Sequence, residues 1–382
     1  MRIVFFTESM LPLVDGVSHT LAHLFAGLEA EGVDFRVYAP FMPPAEISWQ
    51  PRVRLVPSFT FPLYRDYRVS LPGGRRVAAA LDAWRPDIVH VVSPTPMAIW
   101  AQAYARSRDI PVVATFHTHF VSYFPYYGVR GLERIGWRIL RWFHGRCSMT
   151  FAPTTSIIDE LRQHGIHDVR LWSRGVDACR FSPQWRDEAL RARLGADEQN
   201  PLVLFVSRLV KEKDLDDLVA MDRELRQRGR AYRLALVGDG PMRSRLEREL
   251  PHAHFAGHQC GPALSRWYAS ADIFVFPSTT ETFANVVQEA MSSGVPAVVV
   301  DRGGPQSVIE PGVSGFVARA HDPTDLADNV QRLLLAPELR AAMGRAARHR
   351  AQERSWDAVN SVLVREYERI AGGRPELVRR FA

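Results

Sequence analysis

The stretch Ser278–Gly294, STTETFANVVQEAMSSG, decides how the second half of this chain folds and points to what it holds. The apolar run Asp272–Phe276 (DIFVF) leads into it, and Gly294 and Pro296 close it. The order is strand, short polar loop, helix. A helix start presents unpaired backbone N–H groups and the positive end of the dipole, which suits a phosphate. Glu281 stands in the loop, and Glu289 lies about one turn into the helix. Carboxylates repel a phosphate, so these two suit neutral hydroxyls on either side of it, a sugar and a ribose. An ordinary strand–loop–helix with surface acids would give the same local pattern.

A second heptapeptide strengthens the phosphate reading. Of the 48 Lys and Arg residues, only Lys211 and Lys213 are lysine, and both lie in SRLVKEK, Ser207–Lys213. This turn follows a buried-type strand, Leu202–Val206, and precedes the helical run DLDDLVAM. Lysine kept at one turn of an arginine-biased chain marks a place for a compact point charge. Arg208 offers a planar fork and Lys213 an ammonium, a pair fit for a diphosphate.

Length and composition set the frame. A chain of 382 residues makes two or three domains the expectation. The apolar fraction of 46% is that of a soluble globular protein. Cys147, Cys179 and Cys260 are odd in number and widely spaced, so no disulfide framework is expected and a reducing cytoplasm is the natural compartment. The N-terminus MRIVFFTESM reads as a first buried strand rather than a signal segment. No apolar run approaches the roughly 18 residues of a membrane span. The net charge of +6 is compatible with nucleic acid, an anionic membrane face or anionic ligands. No nucleic-acid motif is present and the arginines are dispersed apart from one stripe, so no nucleic-acid partner is expected.

Strands and helices alternate along the chain. In the first half the strands are Arg2–Thr7, Val33–Tyr38, Asp87–Val92 and Pro111–Thr115, and the helices Val17–Gly32, Gly74–Trp84 and Pro96–Arg108. The pattern restarts with strands Leu202–Val206, Leu234–Val237, Asp272–Phe276 and Val295–Val300. Continuous apolar strands separated by helices imply parallel sheets covered on both faces. Gly175–Asn200 reads as a linker, and Ser355 to Ala371 as a last helix. The expected fold is α/β, two Rossmann-like doubly wound domains facing across a cleft, with ligands outside the carboxyl ends of the strands.

Arg208 to Lys213, ETFANVVQEAMSSGVP, and DRGGP at Asp301–Pro305 together resemble the retaining glycosyltransferases of family 4, which have the GT-B fold. The likeness continues through LVDGVS around Gly16, FHTHF at Phe116–Phe120, LWSRGVD at Leu171–Asp177, VGDGP at Val237–Pro241 and FAGH at Phe255–His258. The HTH at His117–His119 and the LWxxGVD string resemble the branch of sulfoquinovosyl-diacylglycerol synthases and bacterial glycolipid α-mannosyltransferases.

The resemblance implies an N-terminal acceptor domain at 1–180, a nucleotide-sugar domain at 181–354, and a C-terminal helix at 355–382 returning to the first domain. It implies a metal-independent hexosyltransferase that takes a UDP- or GDP-linked sugar to an acceptor hydroxyl, with retention. Glu289 would hold the ribose, Glu281 the far side of the sugar, and His117 its reacting face. Phe283, Ala284 and Asn285 would offer backbone N–H groups to the diphosphate, with Arg208 and Lys213 closing on it. Gly16 would let backbone approach the diphosphate, and His258 and Gln259 would lie near the base. Asp15, His119, Tyr123 and Arg174 are candidates for acceptor contact. Arg174, where many members carry an amide, would meet an anionic sugar or acceptor, or pair locally.

No cofactor is expected, the sugar nucleotide being a substrate. His117-x-His119 lacks the carboxylate motif a metal site needs. Asp214-x-Asp216-Asp217 reads as first-turn acids of a helix rather than a metal motif. A pyridoxal enzyme would need a Schiff-base lysine, and both lysines sit in the phosphate turn; an epimerase-like enzyme or a soluble acceptor are the other readings.

Arg130, Arg134, Arg138 and Arg141 recur at helical spacing, with Leu132, Ile135, Ile139 and Trp142 on another face. Such a helix either touches anionic lipid or buries its apolar face in the core. The lipid-enzyme likeness favours the first, with a lipid or glycolipid acceptor and a peripheral position on the inner face of the cell membrane.

Overall fold

The computed structural model describes residues 1–13, 15–61, 64–123, 126 and 131–372. The chain divides into two compact units. Residues 1–121, 130–174 and 356–382 form the first, and residues 122–129 and 175–355 the second.

The first unit carries β1 (Arg2–Phe6), β2 (Asp34–Ala39), β3 (Val53–Leu55), β4 (Ser58–Phe61), β5 (Tyr64–Ser70), β6 (Ile88–Val91), β7 (Val112–Thr115), β8 (Met149–Ala152) and β9 (Val169–Leu171). Seven of these make one sheet in the order β3-β2-β1-β6-β7-β8-β9, while β4 and β5 form a separate antiparallel ribbon. Every pairing in the large sheet is parallel. The central strands are buried along their length, as their Val, Ile and Phe runs require. Strand order reverses between β1 and β6, so the crevice of this sheet lies past the ends of those strands.

Helix Trp356–Gly372 completes the first unit. Tyr367, Leu363 and Ile370 are buried in the same cluster as Phe5, Leu24 and Phe25. Trp356 stacks on His23 at 4.4 Å, and Asn360 donates to the His23 carbonyl at 3.2 Å. The buried His90 Nδ1 meets the Tyr367 hydroxyl at 2.6 Å.

The second unit carries β10 (Leu202–Val206), β11 (Arg233–Val237), β12 (His254–Gly257), β13 (Ile273–Phe276), β14 (Ala297–Val300) and β15 (Gly315–Ala318). They form one parallel sheet in the order β12-β11-β10-β13-β14-β15. Here the order reverses between β10 and β13, the two strands that feed the Lys213 turn and the Glu281 loop.

The segment read as a linker is partly structured. Pro183–Trp185 is a 3-10 turn and Glu188–Leu194 a helix capped by Asp187. Arg191 is buried there and donates to Asp272 Oδ2 and to the Ser270 carbonyl, both at 2.7 Å. The helix forms because Leu190 has a core to enter and the Arg191 charge has a carboxylate to meet.

Helix Glu133–His144 decides between the two readings of its apolar set as far as burial goes. The residues it buries are Trp137, Leu140, Phe143 and His144. Leu132, Ile135, Ile139 and Trp142 are 43–53% exposed, and Arg134, Arg138 and Arg141 are exposed with them. The core-burial alternative for that apolar set therefore fails, because a different stripe meets the core. Arg130 lies outside the described residues.

Candidate active site

Two loops are stitched together at the switch point of the second sheet. The Lys211–Lys213 turn follows β10, and the Ser278–Glu281 loop follows β13. The Glu212 carbonyl accepts the hydroxyls of Thr280 at 2.9 Å and Ser278 at 3.3 Å. Asp214 takes a left-handed backbone, φ 51, which turns its carboxylate onto the loop: Oδ2 accepts both the N–H and the hydroxyl of Thr279 at 2.8 Å. The Tyr126 hydroxyl donates to Asp214 Oδ1 at 2.6 Å and meets Thr279 Oγ1 at 3.0 Å. Lys213, almost fully buried, is held by this framework in an ion pair with Glu281.

Arg208 stands at the rim. Its side chain is 56% exposed, and its Nη2 lies 3.9 Å from Glu212 Oε1. One turn thus carries a buried ammonium and an exposed guanidinium.

Helix Asn285–Ser292 begins directly beyond the loop. Its cap, Ala284, has φ 70, a conformation that costs an alanine about 1–3 kcal/mol and is kept by packing. Phe283 and Ala284 are buried between the Glu281 loop and the helix start at Asn285. Gly303 and Gly304 press against the far side of that loop. The Gly304 N–H donates to the Glu281 carbonyl at 2.7 Å. A Cβ on Gly304 would lie 2.0 Å from the Thr282 carbonyl oxygen, and Gly303 has φ 77. Only glycine permits this approach.

Glu289 lies on the same helix, and its Oε2 accepts the hydroxyl of the buried Tyr268 at 2.8 Å. Enclosure pushes the Glu289 carboxyl above its ordinary range, opposed by the Tyr268 hydrogen bond and by Arg180. His258 is exposed just past β12, and Gln259 folds back onto the Ala256 carbonyl at 2.8 Å.

In the first unit Asp15 caps helix Gly16–Ala30, accepting the Val17 and Ser18 N–H groups at 2.8 and 2.7 Å. Its carboxylate is committed to the helix start, with Gly16 the first helical residue. His117 follows β7, and its Nδ1 is contacted by the Arg174 guanidinium. Arg174 is 4% exposed and lies over the Trp172 ring at 5.2 Å. His119 pairs through Nε2 with Glu160 Oε1 at 2.9 Å, so the two histidines of the HTH turn to different partners. Tyr123 ends the short helix Phe120–Tyr123, and its side chain lies outside what the structure describes.

The three acids near Lys213 also diverge. Asp214 binds Thr279, Asp216 meets Arg245 at 2.7 Å, and Asp217 meets His321 at 3.3 Å. Among the described residues, no group of three or more His, Cys, Asp or Glu side chains could hold a metal ion.

Sequence reasoning missed Tyr126, Thr279 and Tyr268. The signal for Thr279 was the SxxE-like polar loop; for the two tyrosines there was none, since each reaches its partner from a distant part of the chain.

A family model described as "Glycosyl transferases group 1" matches residues 186–350, and one described as "Glycosyltransferase Family 4" matches residues 14–180. The chain is 35% identical over 98% of both lengths to a GDP-mannose-dependent alpha-mannosyltransferase of Mycobacterium tuberculosis. It is 33% identical to a sulfoquinovosyl transferase of Arabidopsis thaliana, over 96% of this chain and 73% of that protein. Among solved structures, Anabaena HepE in complex with UDP superposes with a TM-score of 0.76 at 18% identity, over 97% of this chain and 100% of that one.

Proposed function

This chain belongs to the glycosyl transferases of group 1 and family 4, with the GT-B fold, and on that premise we propose that it transfers a hexosyl group, mannose from GDP-mannose, to a hydroxyl of a glycolipid. The observation that carries the reading is the Lys213–Glu281 pair at the switch point of the second sheet, beside a helix N-terminus. The donor follows from the relative named as GDP-mannose-dependent, which is alike over nearly its whole length. The acceptor class is supported by a relative named as an alpha-monoglucosyldiacylglycerol synthase, of Acholeplasma laidlawii, 27% identical over 78% of this chain.

In this reading the diphosphate lies against the amides of Phe283, Ala284 and Asn285. Lys213 and Arg208 supply the positive charge. Glu281 and Glu289 accept from hydroxyls of the sugar and the ribose. As the bond from the anomeric carbon to the diphosphate oxygen breaks, negative charge grows on the leaving group. Fixed donors and cations stabilise that charge more in the transition state than before it, which lowers the barrier. The acceptor oxygen attacks on the face being vacated, and its proton passes to the departing phosphate. The configuration is retained, and neither a side-chain nucleophile nor a metal takes part.

Peripheral membrane contact belongs to the same proposal. Among the described residues no helix is long and apolar enough to cross a bilayer. Helix Glu133–His144 instead exposes an apolar stripe beside three arginines, the composition of an element that lies in the headgroup layer.

The test is transfer of labelled mannose from GDP-mannose into a lipid extract, with the products separated by chromatography and the anomer assigned by NMR. Label in a lipid carrying a new α-mannosyl group supports the reading. Label released only as free sugar, or transferred equally from UDP-glucose, contradicts it.

A further inference from the structure

Arg174 and His117 are a cation and an imidazole in direct contact, an arrangement that needs an explanation. A guanidinium has only donors, so the ring nitrogen facing it must be an acceptor. Arg174 Nη2 meets His117 Nδ1. The His117 ring is therefore neutral, with its proton on Nε2. The Trp172 indole walls both groups, its centroid 5.7 Å from the imidazole and 5.2 Å from the guanidinium carbon. Both side chains are more than nine-tenths buried.

Three influences hold the ring neutral. Burial is the largest, the Arg174 charge is second and His90 on the neighbouring strand is third; together they put the His117 pKa well below its ordinary value. Burial also pulls Arg174 down, to about 9, which leaves it charged at neutral pH.

We infer that Arg174 is a positioning residue that locks His117 in the Nε2–H tautomer, so that this imidazole meets substrate only as a hydrogen-bond donor. This rests on the proposed function for the substrate being a sugar nucleotide. With Nδ1 engaged the ring is no base, and as a neutral imidazole it is no acid at physiological pH. Any substrate atom it meets must then be an acceptor oxygen. This lock also gives the arginine of LWSRGVD a task that an amide at the same position could share, since an amide N–H can donate to Nδ1.

The experiment reads the tautomer and the kinetics separately. Two-bond proton–nitrogen spectra of histidine-labelled protein, without substrate, distinguish a protonated ring nitrogen from a lone-pair one. Wild type is expected to show His117 as Nε2–H only, unchanged between about pH 6 and 8, a window that spans the ordinary titration of the group. Arg174→Met should give mixed tautomers of a ring that burial still keeps neutral. With GDP-mannose it should raise KM about tenfold, the loss of one well-placed hydrogen bond. Arg174→Gln should restore the single tautomer and recover most of the affinity. Wild-type His117 protonated on Nδ1, or titrating in that window, overturns the inference, as does an Arg174→Met spectrum identical to wild type. A locked tautomer in an enzyme that ignores every sugar nucleotide would leave the inference about Arg174 and His117 intact as far as the tautomer and sink the proposed function instead.

Discussion

Lys213 and Glu281 form an ion pair between the loops that leave β10 and β13, where the strand order of the second sheet reverses. Lys213 is buried, while Glu281 is about a quarter exposed. The pair thus holds a positive charge in place with one face of its partner carboxylate still open. Lys213→Ala should cost stability modestly, about 1–2 kcal/mol, because the stranded Glu281 can reach water. It should cost turnover far more, about 10²-fold or greater, as expected for loss of a fixed donor at a leaving group. Chemical denaturation and steady-state rates on one preparation check both. Equal losses in the two measurements would mean that the lysine serves only the fold.

Acid should weaken this protein early. His90 and His144 are buried and pulled down to about 3 and about 4, in each case by burial, and His117 is pulled down as well. The unfolded chain binds these protons near pH 6.5 and the folded chain does not, so stability falls as pH drops below about 6.5. At about pH 5 His90 and His144 each withdraw roughly 2 kcal/mol.

Glu8 works in the opposite sense. Burial pushes it up to about 7, against hydrogen bonds from Thr95 and Ser70. Between its unfolded value near 4.5 and this folded value, the native state binds the extra proton. Its contribution is therefore intact at low pH and is lost as pH rises toward 7. Glu8→Gln should be more stable than wild type at about pH 8, by up to roughly 3 kcal/mol, with the difference vanishing toward pH 4.5. Thermal melts across that range decide it; a difference that grows toward acid would refute the assignment.

Gly304→Ala should displace the Glu281 loop, because its Cβ would meet the Thr282 carbonyl oxygen at 2.0 Å. Backbone cannot yield as a side-chain end can, so a loss of about 1–3 kcal/mol is expected, with donor affinity lost alongside. Melting temperature with and without GDP-mannose reads both effects.

The exposed stripe of helix Glu133–His144 should bind anionic vesicles. Ile135→Ser with Ile139→Ser should weaken vesicle binding while leaving the melting temperature within a degree or so, since neither side chain enters the core. Charge reversal at Arg134, Arg138 and Arg141 should abolish the preference for anionic over neutral lipid. Unchanged sedimentation with vesicles in both variants would remove the membrane from the account.

Much of the fold was legible because both large sheets are parallel and buried on two faces. Runs such as Leu202–Val206 and Asp272–Phe276 therefore announce themselves by continuous apolarity. The two-sheet α/β architecture follows directly from such stretches. Strands β3, β8, β9, β12 and β15 were not seen. At the edges β3 and β9 have three residues each, two of them exposed, and three residues carry no period. The ribbon of β4 and β5 mixes aromatics with charges and has no helical crossover to mark it. Glu188–Leu194 was hidden by its polar surface, since only Leu190 and Arg191 are buried and one of those is charged. At the site, residue types and spacing identified the Lys213 turn and the Glu281 loop. That the two close on each other depends on the strand order, which no local pattern encodes. Arg174 was legible as unusual, but its contact with His117 bridges two strand ends that sequence alone does not bring together.

The most direct measurement is the thermal stabilisation of the protein by GDP-mannose, compared among wild type, Arg208→Ala and Lys213→Ala. A ligand bound only by the folded state at about a hundred times its Kd adds roughly 2.7 kcal/mol. A clear rise in melting temperature is expected for wild type with GDP-mannose, and a rise largely lost in both variants. An equal rise in all three proteins, or none with any sugar nucleotide, would contradict it.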